Sequence, residues 1–130
     1  MTPQARLDLL LEFLRFPSIS TDSTHNQDML NCADFLIRQL SGMGLKTELH
    51  PTAKHPVVIA RNEHKSDRPT VMIYGHYDVQ PVDPLDLWDS PPFDPQIKDG
   101  VIYARGATDN KGQIFGHIMG LEATIAQHGE

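Results

Sequence analysis

Three side chains stand out for what they could do together. His76 and Asp78 lie two apart at the end of the apolar run in VMIYGHYDVQP, residues 71–81. Asp109 sits thirty-three residues beyond His76, in the turn RGATDNKGQ. In an extended chain, residues two apart point the same way. An aspartate so placed can accept one imidazole N–H, fix the tautomer and leave the other ring nitrogen as a lone-pair donor, which is how a metal-bound histidine is held. Gly75 just before lets the backbone turn or a neighbour approach closely. Taken alone, a His-x-Asp pair is more often a strand-end hydrogen bond than a metal site. Asp109 changes that balance, because a carboxylate has two oxygens and can bridge two cations, as hydrolytic two-metal sites require. The same turn invites comparison with the phosphate-binding loop G-x-x-x-x-G-K-[ST], but Lys111 precedes Gly112 and no Ser or Thr follows. A nucleotide site is therefore set aside.

The elements that must position these groups are legible in outline. Thr2 and Pro3 read as an N-cap and a first helical residue. Leu7, Leu10, Leu11 and Leu14 recur at helical spacing until Pro17. A second helix is predicted over 27–40, burying Met29, Ala33, Leu36, Ile37 and Leu40, with Cys32 as a small core residue. SGMGL closes it with two glycines. LKTELH, PVVIAR and TVMIYGH read as strands, and VVIA and VMIY lack apolar/polar alternation, so cover on both faces is expected. Residues 79–100 form a long Pro- and Asp-rich loop, of the kind that is often functional. Trp88 and Phe93 are expected to anchor it more than to line substrate access. GVIYARG is a short strand and NKGQIFGHIMGLEATIAQ a helix. His76 and Asp109 thus each follow a strand, where ligands gather in α/β sheets, and are expected to meet at one sheet edge. Lys111 and Arg105 read as surface charge. His25, His50, His55 and His64 read as solvated, and His117 and His128 as surface or packing residues.

The chain has 130 residues, the size of one ordinary domain, and no linker or repeat divides it. With 39% hydrophobic and 22% charged residues a globular class is favoured over disorder. The net charge of −6 argues against nucleic acid and leaves carboxylates for a cation. Cys32 is the only cysteine, so no intrachain disulfide forms, which suits a reducing compartment. Arg6, Asp8 and Glu12 interrupt the first apolar run, so it does not read as a secretory signal, and no window approaches a membrane span. A cytoplasmic location is expected.

Four blocks, LLEFLRFPSIS, GHYDVQP, WDSPPFDP and DGVIYARGATDNKGQ, occur in an order that resembles the zinc-dependent aminoacylase, dipeptidase and acetylornithine-deacetylase metallohydrolases. The resemblance covers residues 9–121. Gln80-Pro81, Trp88 and the PPF at 91–93 lean toward the dipeptidase branch. It implies an α/β fold: part of a mixed-sheet, zinc-exopeptidase-like catalytic domain with helices on both faces, its sheet incomplete in this chain. It implies that His76 ligates one zinc, that Asp78 clamps its imidazole, and that Asp109 bridges two zincs, with manganese or cobalt as alternatives. It also implies a cis peptide bond between Asp109 and Asn110. Asn110 stands where many members carry a second aspartate that is not a ligand.

A binuclear hydrolase needs more than these groups, since each zinc takes about four ligands and a general base must activate water. The resemblance implies that a Glu-Glu pair, a further acidic ligand and a late histidine supply the rest, and that a second domain carries dimerisation. Glu122 and Glu130 are isolated here. The expectation is therefore that residues 1–130 are the N-terminal part of the catalytic domain of a homodimeric dipeptidase, inactive alone. An N-acyl amino-acid deacylase is the near alternative. A non-catalytic short paralogue acting as a binding module is the alternative of a different class.

Overall fold

A computed structural model of the chain describes residues 1–129, so Glu130 lies outside the described residues. Helix α1 spans Pro3–Arg15, begun by Thr2, whose Oγ1 accepts the Ala5 N–H at 3.2 Å, and by Pro3 in its first turn. Phe16 is extended ahead of Pro17, as the sequence predicts. Helix α2 spans Asn26–Gly42. Its end is a Schellman turn: the Gly44 N–H donates to Ser41 O (2.9 Å) and the Leu45 N–H to Leu40 O (3.3 Å), with Gly44 at φ 86°.

Strands β1 (Lys46–His50) and β2 (Val57–Arg61) pair antiparallel, Lys46 opposite Arg61 and His50 opposite Val57, and α2 packs on them. Strands β3 (Gln96–Lys98) and β4 (Val101–Tyr103) form a second antiparallel pair. Between them Asp99 and Gly100 both take positive φ (52° and 79°), the conformation a two-residue Asp-Gly hairpin demands. Helix α3 spans Lys111–His128 and lies against α1. Glu122 on α3 pairs with Arg6 on α1 at 3.2 Å.

The α/β class holds, with an incomplete sheet made of two separate two-stranded pieces. The sequence expectation fails at 71–74. Val71, Met72, Ile73 and Tyr74 are 79%, 87%, 55% and 82% exposed and belong to no strand. Their apolar character suits a buried strand, but a strand needs neighbours, and among the described residues none flanks this run. Pairing begins only at Val79, which bridges Ile19 in parallel. The core lies where the three helices meet: Phe13, Cys32, Phe35, Leu36, Phe115 and Ile118. Phe13 and Phe35 stack at 5.2 Å between ring centroids. Cys32 is fully buried, as expected of a small core residue, whereas Phe13 was absent from the leucine stripe read in α1.

Candidate metal centre

His76 and Asp78 approach each other in the stretch without regular secondary structure between the exposed run and the Ile19–Val79 bridge. The His76 Nδ1 lies 3.1 Å from both the carboxylate Oδ1 and the backbone carbonyl of Asp78. Asp109 reaches the same ring from the other side, its Oδ1 3.0 Å from His76 Nε2. The three predicted residues therefore do come together, although not at a common sheet edge. Asp109 follows β4 after five residues, 104–108, while 71–78 belongs to no sheet. The Asp109–Asn110 peptide bond is cis, as the resemblance implied.

A neutral imidazole has one N–H, yet two carboxylates face its two nitrogens. Burial, the largest single effect, pulls the His76 pKa down, but hydrogen bonding to Asp78 O and the charges of Asp78 and Asp109 together outweigh it and the net shift is upward. A shared positive charge between Nε2 and Asp109 resolves the conflict, whether carried by a proton or by a cation. With Nδ1–H committed to Asp78, the Nε2 lone pair and the Asp109 carboxylate form a nitrogen/oxygen pair suited to zinc, manganese or cobalt. The Asp109 side chain is 78% exposed, which leaves its second oxygen free. These residues fit a metal as a partial set. Among the described residues no group of three or more His, Cys, Asp or Glu side chains converges to hold an ion.

Asn110 carried no sequence signal of its supporting role. Asn110 Oδ1 accepts the His76 backbone N–H at 3.1 Å, joining the two motifs directly. A Cβ on Gly75 would collide with Ile114 Cγ2 and crowd Asn110 Oδ1, so the absence of a side chain there permits the close approach that the sequence suggested.

Lys111 is not surface charge. It is fully buried, and its ammonium donates to Phe13 O (3.1 Å) and Phe16 O (2.7 Å), two carbonyls at the open end of α1. Its stem reaches the α1 terminus because it opens α3 immediately after the Asp109 turn. Arg105 is also only partly exposed. Its guanidinium lies 5.0 Å over the Trp88 ring and donates to Pro81 O at 2.9 Å, while Trp88 Nε1 donates to Val82 O at 2.9 Å. The long loop is thus anchored by Trp88, as expected. His50, His64, His117 and His128 are exposed, whereas His25 pairs with Asp28 at 2.7 Å and His55 contacts Ser20 O at 2.8 Å.

Burial pushes Lys111 down to about 8 from 10.5, against the opposing pull of Cys32 and Asp78. Below pH 8 both folded and unfolded chains carry the proton and the burial penalty acts in full. Between pH 8 and 10.5 the unfolded chain keeps a Lys111 proton that the folded one has released, so the Lys111 contribution to stability rises with pH, by about 2 kcal/mol from pH 8 to 10. The Cys32 thiol, pushed up from 9.0 by burial, opposes this above pH 9, because there the unfolded chain ionises first. Above pH 10 Tyr77, pushed up to about 12 by burial, adds to that opposition, because the unfolded chain again ionises first. Urea midpoints across this range test the prediction, and Lys111→Met flattens the rise. A wild-type stability that gains nothing over that of Lys111→Met between pH 8 and 10 contradicts it.

Residues 72–130 match the family model described as Peptidase family M20/M25/M40. The Cys-Gly metallodipeptidase dug1 of Schizosaccharomyces pombe is 33% identical over 118 residues, covering 82% of this chain and 25% of its own length. A succinyl-diaminopimelate desuccinylase of Azoarcus sp. is 36% identical, covering 85% of this chain and 28% of its own. The M20 family metallo-carboxypeptidase Sso-CP2 from Sulfolobus solfataricus superposes with a TM-score of 0.85 at 37% identity, over 98% of this chain and 28% of that one.

Residues 72–130 carry part of a peptidase family M20/M25/M40 domain.

The chain spans 25% to 28% of the length of these relatives. Its likeness to the dipeptidase-like branch, read from the motif blocks, holds, and so does the α/β class of the fold. Two of the three relatives are named as metallopeptidases and the third as a desuccinylase. Among the described residues no helix is long and apolar enough to cross a membrane.

Proposed function

We propose that the protein to which this segment belongs is a two-zinc hydrolase of dipeptides or short peptides, and that His76 and Asp109 are two of its metal ligands. The observation that carries this reading is the single imidazole held between two carboxylates, Asp78 on Nδ1 and Asp109 on Nε2. Asp78 holds the Nδ1 proton and so keeps the Nε2 lone pair directed outward. Asp109, exposed and with an oxygen free, is suited to bridge a second ion. Bound zinc supplies Lewis acidity toward the scissile carbonyl and lowers the pKa of a bound water to about 7.

The remaining ligands and the general base come from the part of the relatives' length that this chain does not span. In this reading residues 1–130 are the N-terminal part of the catalytic domain and turn over no substrate by themselves. The whole enzyme works in the cytoplasm as a homodimer and binds neither nucleic acid nor membrane. Support for metal-dependent peptide hydrolysis comes from the metallodipeptidase and metallo-carboxypeptidase relatives.

A second reading, hydrolysis of N-acyl amino acids, is favoured by the desuccinylase relative. Turnover of a dipeptide and of an N-succinyl amino acid by the zinc-loaded full-length protein separates them. The proposal expects the higher kcat/KM on the dipeptide, abolished by a chelator and restored by zinc. A higher value on the acylated amino acid favours the second reading, and hydrolysis of neither overturns both.

A further inference from the structure

We infer that Ser20 is a positioning residue for the metal centre, acting on it through Asp78. The inference rests on the reading of His76, Asp78 and Asp109 given above. After α1 the chain runs beside 77–79 in parallel. The Val79 N–H donates to Ser18 O at 2.9 Å, Ser18 Oγ donates to Tyr77 O at 2.7 Å, and Ile19 bridges Val79. Ser18, Ile19 and Val79 are all buried, at 0%, 4% and 4% exposure, so this register is fixed by packing as well as by hydrogen bonds.

In that register Ser20 lies diagonally across from Asp78, and its hydroxyl donates to Asp78 Oδ2 at 2.5 Å. The other oxygen, Oδ1, serves His76 Nδ1 at 3.1 Å. Each carboxylate oxygen thus has its own donor. Rotation about the Cβ–Cγ bond breaks both contacts at once, so the hydroxyl locks the plane of the carboxylate that selects the imidazole tautomer. A hydroxyl–carboxylate bond of this length is charge-assisted and among the stronger kinds. Ser20 is itself held from behind, because His55 Nε2 lies 2.8 Å from its carbonyl oxygen. A connected line therefore runs from the β1–β2 loop through Ser20, Asp78 and His76 to Asp109.

Partners that orient a ligating histidine change metal affinity by about 10–100-fold when removed. Ser20 acts one contact further out, so the low end of that range applies. The test is the zinc affinity of the full-length protein, measured by competition with a chromophoric chelator, for Ser20→Ala, Ser20→Thr and Asp78→Asn. Ser20→Ala binds zinc about tenfold more weakly, and kcat falls by a similar factor with KM little changed. Ser20→Thr keeps the hydroxyl and recovers most of the loss, an effect that a merely structural role does not produce. Weak binding by both Ser20 variants overturns the inference, since the hydroxyl is then not the cause. Wild-type affinity in Ser20→Ala with weakened Asp78→Asn overturns it while leaving the centre in place. Wild-type affinity in both removes the centre and the inference together.

Discussion

Asp109→Ala in the full-length protein lowers kcat/KM by at least ~10³-fold, about 4 kcal/mol of transition-state stabilisation, and leaves the fold standing. The two halves of this result have separate causes. The Asp109 side chain is 78% exposed and its one close partner among the described residues is the His76 ring, so removing it empties no core space and strands no buried donor. Its chemical role is different in scale. Substitutions of residues that merely orient a metal ligand lose about 10–100-fold, and a bridging ligand contributes to both ions. Far-ultraviolet circular dichroism and the melting temperature of the metal-free protein report the fold, while turnover and zinc content report the site. Retained turnover sinks the assignment of Asp109 as a ligand.

Gly112→Ala fails in the opposite way, through structure first. Gly112 is the second residue of α3, and a Cβ built there collides with the backbone carbonyl of Ala107. That oxygen belongs to the main chain of the turn carrying Asp109, so no rotamer change relieves the overlap. Gly112 N–H also donates to Gly106 O at 3.3 Å, which holds the turn closed over the helix start. The turn and the helix must separate, moving Asp109 and Asn110 and breaking the Asn110–His76 bond. Overpacking of this kind costs about 1–3 kcal/mol and occasionally more, and a backbone clash places Gly112→Ala at the upper end. Urea denaturation measures the loss, and zinc affinity falls with it. Unchanged stability and affinity show that the turn is looser than described.

The helices were legible because their signals are local. Thr2-Pro3, the leucine spacing of α1 and the glycines after α2 each act within a turn or two of chain. His76, Asp78 and Asp109 were legible because chemistry demands those side-chain types at those spacings, and the motif blocks added the cis bond at Asp109–Asn110. What escaped was set by tertiary contact. Lys111 looks like surface charge in a polar turn, and only the meeting of α3 with the end of α1 supplies the carbonyls that bury it. Asn110 and Ser20 are ordinary loop residues until the chain brings them to His76 and Asp78, thirty-four and fifty-eight residues away. The β3–β4 hairpin was half seen: β4 stood out, but β3 is three residues long and too short to show alternation, although Asp99-Gly100 is a strong turn signal. The run at 71–74 misled because composition reports what a segment could pair with, not whether a neighbour is present.

The most direct test of the proposed centre is an anomalous difference map, recorded at the zinc absorption edge, from crystals of the zinc-loaded full-length protein. The metal reading predicts a peak about 2.0–2.2 Å from both His76 Nε2 and an Asp109 carboxylate oxygen, with Asp78 still on Nδ1. A second peak beside the other Asp109 oxygen marks the bridge. Zinc bound elsewhere in the molecule, with the His76–Asp109 contact intact and no peak between them, contradicts it.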